Sequence, residues 1–198
     1  MVAKIKSNDM KIIDKIKHTV RNYYVLYADK AELLIKAEKL LRPLPEGCEL
    51  VKLTYENQKK YKCKYLVDKM LQIGDEVYAI VNKDNEIIAW HYGTYRCNTS
   101  MFFKVRKCDF EHVEILVDER YRRKGIALHL LYHTVKNLKP EYIKNNKLGT
   151  VIRPDNIPSL KLHEDIGFKK SHRIIFFHLC TKKIDGQWKL INIPHYSI

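Results

Sequence analysis

The amino-acid sequence predicts a single domain of the mixed α/β (α+β) class. Segments with a strand pattern alternate with segments that have a helical pattern over most of the chain. The length of 198 residues suits one domain, since domains commonly hold about 100 to 200 residues. A hydrophobic fraction of 45%, with 13 Tyr, 6 Phe and 2 Trp, supports a globular core and argues against disorder.

Residues 1–46 are predicted to form an N-terminal helical extension. Asp29 can cap a helix whose apolar residues recur every three to four positions, and a second amphipathic helix is predicted over residues 12–24. Residues 42–47 contain two prolines and a glycine, which break regular structure, so the domain proper is expected over residues 47–198. A basic amphipathic helix can also lie on a membrane, so peripheral membrane contact stays open beside packing against the domain.

Strands and helices alternate after this break. Strands are predicted where β-branched and aromatic residues cluster, and helices where apolar residues recur at helical spacing. In chain order we expect strand 48–55, helix 57–71, a hairpin of strands 76–81 and 86–95, strands 99–105 and 110–117, helix 123–138, strand 147–153, helix 156–166, and closing strands 168–180 and 187–193.

The positive charge of the chain is concentrated in one segment. Lys and Arg number 37 against 23 Asp and Glu, a formal net charge of +14. Between Arg120 and Lys147 there are eight basic residues and one acidic residue. The net charge of this segment is therefore half of the net charge of the chain. Nucleic acid, an anionic membrane and a phosphorylated ligand are all candidate partners for such a charge.

Composition also bears on location and metal content. No apolar stretch approaches the roughly 20 residues that a membrane-spanning helix needs, and no secretory signal pattern begins the chain. The five cysteines are odd in number and include no Cys-x-x-Cys pair, which is typical of reduced thiols. We therefore expect a cytoplasmic protein without a metal site.

The most informative pattern is a β-branched strand and a polar turn followed by Arg122-x-x-Gly125-x-Ala127 at the start of a helix. Amides in the first turn of a helix lack internal partners and lie at its positive end, so they bind phosphate oxygens. Small residues let a ligand approach the backbone, and the basic residues at 122–124 add attraction. The pattern predicts an anion cradle and matches neither common nucleotide-binding glycine loop.

A second motif follows, a helix that begins with Asn156 and ends in Gly167-Phe168. Together the two motifs resemble the GNAT superfamily of acyl-CoA-dependent N-acetyltransferases, whose acetyl-CoA motif reads Arg/Gln-x-x-Gly-x-Gly/Ala after a strand. The two motifs follow each other in the same order as in the family, and each lies on the predicted strand or helix that carries it there. The resemblance covers about residues 48–193 and does not explain residues 1–46.

The resemblance implies a mixed central sheet, flanked by helices, in which the parallel strands 110–117 and 147–153 splay apart to admit acetyl-CoA as cosubstrate. Asn156 and Gly125 also have plain structural explanations, as an N-cap and a turn glycine. The CoA-binding residues that the resemblance implies are Leu116, Val117, Arg122, Arg123, Lys124, Gly125, Ile126, Ala127, Asn156 and Ser159.

Acetyl transfer to an amine needs a neutral amine, a polarised thioester carbonyl and a proton for the thiolate. Glu114 and Glu111 are the candidate bases, with Glu114 favoured; in an undistorted strand they point to opposite faces, although a bulge would change this. Either could instead pair with basic residues. His163 stands where the family commonly carries a Tyr and is a candidate acid or a structural core residue. His112 is expected to share a strand face with Glu114.

The sequence thus predicts an acetyl-CoA-dependent N-acetyltransferase for a primary amine, which could be a small amine, an amino sugar or a peptide amine. The alternatives are a basic nucleic-acid-binding module and a family member that binds CoA without catalysis. Nucleic acid is the less favoured partner because no recognised motif supports it and the local charge coincides with the cradle. The protein is expected to be a monomer or a homodimer.

Overall fold

The fold is described by a computed structural model that covers residues 20–63, 67–95, 108–184, 187–192 and 196–197. Four α-helices and nine strands lie in these residues. In chain order they are β1 (Val20–Asp29), α1 (Lys30–Leu40), β2 (Glu49–Lys52), α2 (Val67–Ile73), β3 (Glu76–Val81), β4 (Ile87–Thr94), β5 (Phe110–Val117), α3 (Ile126–Lys136), β6 (Lys147–Ile152), α4 (Ile157–Asp165), β7 (Lys169–Ile184), β8 (Gln187–Asn192) and β9 (Tyr196–Ser197).

The strands form one mixed sheet in the order β2-β3-β4-β5-β6-β1-β7-β8, and β9 pairs with β7. Strands β5 and β6 run parallel, whereas the other paired strands in the described residues are antiparallel. The prediction of a mixed α/β fold with a central parallel pair is confirmed. The predicted strand 99–105 lies outside the described residues.

Strand β1 corrects the prediction for the N-terminal segment. Val20–Asp29 is extended, so the helix predicted over residues 12–24 is wrong for its described part. Tyr23, Tyr24 and Val25 are residue types that favour strands, and pairing with β6 on one edge and β7 on the other satisfies the backbone on both sides. This pairing outweighs the helical pattern over Val20 to Tyr24, and residues 12–19 of the predicted helix lie outside the described residues.

The helix predicted after Asp29 is confirmed. The Asp29 side chain accepts hydrogen bonds from the amides of Ala31 and Glu32 at 2.9 and 3.0 Å, which caps α1. At the far end of α1, the Tyr132 hydroxyl of α3 donates to Glu38 at 3.1 Å. Strand β1 thus lies inside the sheet, and α1 is hydrogen-bonded to α3.

The helix predicted over residues 57–71 is much shorter. Thr54 and Asn57 exchange backbone-to-side-chain hydrogen bonds of 2.8 and 3.2 Å, which form a turn, and only a single 3-10 turn follows at Gln58–Lys60. The backbone of Lys62 then forms an isolated parallel β-bridge with the backbone of Glu86, beside the β3-β4 hairpin. Lys62 is thus in a β-bridge and not in a helix, and the described helix α2 begins at Val67.

The remaining elements agree with prediction, except that strand 48–55 shortens to β2. Helix α3 begins three residues later than predicted because Gly125 is its N-cap.

Two helices sandwich the sheet. Leu130 of α3 packs in one cluster with Ile80, on the side that we call the α3 face. Met70 of α2 packs with Val77 and Trp90 on the opposite side, the α2 face. None of the helices in the described ranges has the length and hydropathy that crossing a membrane requires.

Candidate active site

The parallel strands β5 and β6 separate partway along their length. They are paired from Phe110 to His112 of β5, opposite Leu148 to Thr150 of β6, and in the described residues no further pair joins them. Among the described strands, none pairs with the β6-facing edge of Val113 to Val117, while the opposite edge of this segment stays paired with β4. The splay that the family resemblance implies lies beside Leu116 and Val117, two of the predicted CoA-binding residues.

A β-bulge lies where the strands begin to separate. Tyr92 of β4 is paired with Glu114, whereas the next residue, Gly93, is paired with His112, so Val113 is an extra residue in β5. Paired residues of neighbouring strands share a face of the sheet. The bulge therefore changes which residues of β5 lie on the same side.

The bulge brings the two candidate bases together. Glu114 is paired with Tyr92 and Glu111 with Thr94, and these two partners lie two residues apart on one strand. Both carboxylates thus lie on the α2 face, not on opposite faces as an undistorted strand would place them. His112, paired with the intervening Gly93, points to the α3 face, so the expectation that it shares a face with Glu114 is wrong.

The two carboxylates have different surroundings. Glu111 is 0% exposed, whereas Glu114 is exposed and open to an incoming ligand. Nearby protein atoms still desolvate the Glu114 carboxyl and raise its pKa, and a hydrogen bond from Tyr92 and the charge of Lys69 partly oppose this. Burial and both carboxylates raise the pKa of Tyr92 to about 12, so its hydroxyl remains a donor.

The predicted cradle lies at the end of β5, where the chain turns into α3. Gly125 has φ of 78°, and the first intrahelical bond runs from the Leu128 amide to its carbonyl. The amides of residues 125–127 precede this bond and point out of the helix end. A Cβ built on Gly125 meets nothing within 4 Å, so the space in front of the backbone is open to a ligand.

Basic side chains surround this helix end. Arg122 donates from Nε to the carbonyl of Val117 at 3.2 Å, which ties the cradle to the open part of β5. Arg123 and Lys124 are exposed, and Lys124 lies 5.1 Å from the Tyr121 ring centroid. Acidic residues offset part of the charge, since Arg120 pairs with Asp118 at 2.9 Å and Arg122 with Glu119 at 3.3 Å.

The second motif forms the start of α4. The Asn156 side chain accepts from the Ser159 amide at 3.3 Å, so Asn156 is an N-cap, and its exposure leaves it free to contact a ligand as well. The Ser159 carbonyl accepts a hydrogen bond of 2.8 Å from Nδ1 of His163, one turn later. Because a carbonyl oxygen only accepts, Nδ1 carries the hydrogen and Nε2 of a neutral ring has none.

This arrangement favours the structural alternative for His163 over the role of general acid. The side chain is 3% exposed, and burial lowers its pKa to about 4, so the ring is neutral at pH 7. A neutral ring whose one N–H is held by a carbonyl has no proton to give to a thiolate. We therefore assign His163 its structural alternative, a core residue packed at 5.0 Å against the Phe168 ring.

Sequence reasoning assigned no role to His91 or Gly93 in β4, or to Thr134 in α3. A signal for the first was available, because a histidine in a fully buried strand must find a hydrogen-bond partner. Its partners, Thr134 and His112, are 43 and 21 residues away in the chain, and the sequence does not identify them.

Comparison with known proteins finds one curated relative over part of the chain. A curated N-alpha-acetyltransferase from Saccharolobus solfataricus is 41% identical over 58 residues, which cover 29% of this chain and 34% of that protein. The match thus spans about a third of the relative's length.

Solved structures show a similar fold. A tandem GNAT protein from the clavulanic acid biosynthesis pathway has a TM-score of 0.53 at 11% identity, over 78% of this chain and 51% of that chain. A Drosophila protein has a TM-score of 0.50 at 16% identity, over 84% of this chain and 55% of that chain.

The model of the acetyltransferase (GNAT) family matches residues 34–168. This range begins inside α1 and ends after α4, so it includes the splayed strands, the bulge and the cradle. Since it exceeds half of the sequence, the chain belongs to the acetyltransferase (GNAT) family.

Proposed function

We propose that the protein is an acyltransferase that moves the acetyl group of acetyl-CoA to a primary amine. The observation that carries the proposal is the position of the bulge. It brings the Glu111 and Glu114 carboxylates to one face at the point where β5 leaves β6, on the strand that leads into the amide cradle of α3. A base, an open strand edge and an anion site thus follow one another along a single segment of chain.

The residues present fit acetyl-CoA. The open space in front of Gly125 and the free helix end suit a pyrophosphate, and the open edge of β5 offers backbone groups to the amides of a pantetheine arm. The thioester supplies the acetyl group. The residues proposed to hold the molecule are Leu116, Val117, Arg122, Arg123, Lys124, Gly125, Ile126, Ala127, Asn156 and Ser159.

Glu114 is proposed as the general base. Its carboxylate is exposed, so an acceptor can reach it, whereas the Glu111 carboxylate is buried. The raised pKa makes Glu114 a better proton acceptor than an ordinary carboxylate, and the Tyr92 hydroxyl orients it. Glu114 takes one proton from the acceptor ammonium, and the neutral amine then attacks the thioester.

Proton balance requires no acid from the chain. After Glu114 has removed one proton, the nitrogen gains a positive charge on attack and gives up a second proton as the amide forms. That proton goes to the departing thiolate. His163 is not used, which agrees with its neutral, buried ring.

The acceptor is proposed to be a primary amine of a peptide, a small amine or an amino sugar. The partial match to an N-alpha-acetyltransferase makes free peptide N-termini the first acceptors to test. The exposed Glu114 carboxylate favours any acceptor that arrives as an ammonium ion.

The experiment is to incubate purified protein with acetyl-CoA and a panel of amines and to follow free thiol release. The panel contains tetrapeptides with a free N-terminus, the same peptides blocked at the N-terminus but with a lysine side chain, spermidine and glucosamine. Thiol release that depends on an amine and is lost in Glu114→Gln supports the proposal.

Melting temperatures with and without acetyl-CoA separate the alternatives. A one-site ligand at a hundred times its Kd stabilises the folded state by about 2.7 kcal/mol. Stabilisation by acetyl-CoA with no transfer to any amine would indicate a non-catalytic CoA-binding protein. Salt-sensitive oligonucleotide binding without any response to acetyl-CoA would indicate a nucleic-acid-binding module.

A further inference from the structure

A buried chain of hydrogen bonds crosses from α3 to β5. Thr134 Oγ1 of α3 lies 3.0 Å from Nδ1 of His91 in β4, and Nε2 of His91 lies 3.0 Å from Nδ1 of His112 in β5. The three side chains are 0%, 0% and 2% exposed, so water does not compete for these bonds.

The chain ends at the residue where the geometry of β5 changes. His112 is the last residue of β5 that pairs with β6, and its carbonyl accepts a hydrogen bond of 3.1 Å from Thr150 Oγ1. The next residue, Val113, is the extra residue of the bulge. The hydrogen bond to His91 therefore fixes the residue immediately before both the bulge and the splay.

The bulge requires such a constraint. A one-residue slip of β5 would carry His112 from the α3 face to the α2 face. Both nitrogens of the His91–His112 bond would then be buried without a partner, at a cost comparable to a lost buried hydrogen bond. The same slip would change the face of Glu111, which reaches the α2 face only because the extra residue separates it from Glu114.

The histidines remain neutral while they hold this position. Burial lowers the pKa of His91 to about 3 and that of His112 well below its ordinary value, and the nearby His163 lowers both further. The rings that face His112 in this core belong to His91, Phe110 and Phe168. A neutral imidazole can donate from one nitrogen and accept at the other, which suits a linear chain.

We propose that His112, held by His91 and Thr134, is a positioning residue for acetyl transfer, because it fixes the bulge that brings Glu111 and Glu114 to one face. This inference rests on the proposed function. The three side chains are buried, and in this proposal they act through the conformation of β5.

The first test is His112→Phe, which keeps a ring against Phe110 and Phe168 but removes the nitrogen that bonds His91. With acetyl-CoA and the best tetrapeptide acceptor, kcat should fall by about 10-fold or more, since a displacement near 1 Å can cost 10²-fold. The Kd for acetyl-CoA should stay within about twofold, because the cradle on α3 is untouched. If His112 only stabilised the fold, His112→Phe would lower the melting temperature but would not lower kcat selectively while the Kd for acetyl-CoA stayed the same.

The second test is rescue by His112→Asn. The Asn amide places a polar atom close to the position of Nδ1, so the bond to His91 can re-form. It lacks an equivalent of Nε2, which has no hydrogen-bond partner among the described residues. The decrease in log kcat relative to the wild type should be at most half as large in His112→Asn as in His112→Phe.

The third test does not require the His112 variants to fold. Thr134→Val is nearly isosteric and removes the hydroxyl at the far end of the chain, and Tyr132→Phe is its control on the same helix, since it removes a hydroxyl bonded to Glu38. Thr134→Val should lower kcat by about threefold or more, and Tyr132→Phe should leave it unchanged.

Each outcome decides between support and rejection. Unchanged kcat in folded His112→Phe, or equal kcat in Thr134→Val and Tyr132→Phe, would overturn the positioning role while leaving the proposed function intact. A wild-type protein that acetylates no amine in the panel would overturn the proposed function, and this inference with it.

Discussion

Gly125 lies at the junction of the fold and the proposed ligand site. Its φ of 78° belongs to the left-handed region, which glycine adopts without a steric penalty, and no atom of the described chain lies within 4 Å of a Cβ built there. A side chain at this position would therefore meet the ligand and not the protein. The residue can be tested without disturbing the core.

We expect Gly125→Ala to cost about 1 kcal/mol of stability, from left-handed strain alone. The new methyl group occupies the cradle, so the rise in melting temperature caused by acetyl-CoA should be largely lost. Gly47→Ala is the matched control, since Gly47 has φ of 70° and a comparable Cβ would lie 3.4 Å from Lys83. A full acetyl-CoA response in Gly125→Ala would show that the cradle does not bind the pyrophosphate.

Glu114 and Glu111 differ in exposure, and this difference predicts different kinetics. Glu114→Gln should lower kcat/KM at pH 7 by about 10²-fold, the usual contribution of a general base. Glu114 must be ionised to act, and its pKa is raised, so the activity of the wild-type protein should fall as pH drops through a value above 4.5. The activity of Glu114→Gln should not show this fall at low pH, and the activity of Glu111→Gln should still show it. The reverse pattern would make Glu111 the base.

At the scale of elements, the β4-β5 pair depends on one residue that has no side chain. A Cβ on Gly93 would lie 2.3 and 2.4 Å from ring atoms of Phe110 and 2.6 Å from the carbonyl oxygen of Glu111. The Phe110 ring thus fills the space above Gly93, next to the bulge. The close approach of the two strands at this point is possible only with glycine.

We expect Gly93→Ala to destabilise the protein by about 1 to 3 kcal/mol or more, because ring and backbone must both move. Urea unfolding measures the loss. Gly74→Ala is the control, since a Cβ there would have its nearest contacts at 3.0 to 3.1 Å, which is longer than at Gly93. Adding Phe110→Leu to Gly93→Ala should restore only part of the stability, because the clash with the Glu111 carbonyl remains. Equal urea midpoints for the two glycine variants would contradict this account.

At the scale of the whole molecule, three neutral histidines link the sheet to the helices that cover its α3 face. His91 and His112 lie in the sheet, and His163 lies in α4, with exposures from 0% to 3%. Burial holds the pKa of each below its ordinary value. The folded protein therefore resists protonation that the unfolded chain accepts.

This difference predicts how stability depends on pH. The unfolded chain binds more protons than the folded protein between the unfolded pKa near 6.5 and the folded pKa of about 4 for His163. The contribution of His163 should be complete above pH 6.5 and should be lost as pH falls toward 4. Each pKa unit between the unfolded and the folded value changes the free energy of unfolding by about 1.4 kcal/mol. The difference in unfolding free energy between wild type and His163→Phe should shrink over this range; a constant difference would contradict the assignment.

The sequence by itself determined the features that short stretches of chain build. Three such features are the strand, turn and helix around Gly125, the cap at Asp29 and the helix that begins at Asn156. Each depends on residues within a few positions of one another, so the sequence pattern alone predicts it. The basic residues of the cradle belong to the same stretch. These local signals were sufficient to predict the fold class and the proposed CoA site.

Only the tertiary structure decided the position of β1, the bulge at Val113 and the neutral state of His163. Each depends on partners far along the chain: β1 on β6 and β7, the bulge on β4, and His163 on burial beneath the sheet. Backbone pairing across strands and removal from water are properties of the assembled core. They therefore override the local patterns that predicted a helix, opposed carboxylates and a proton donor.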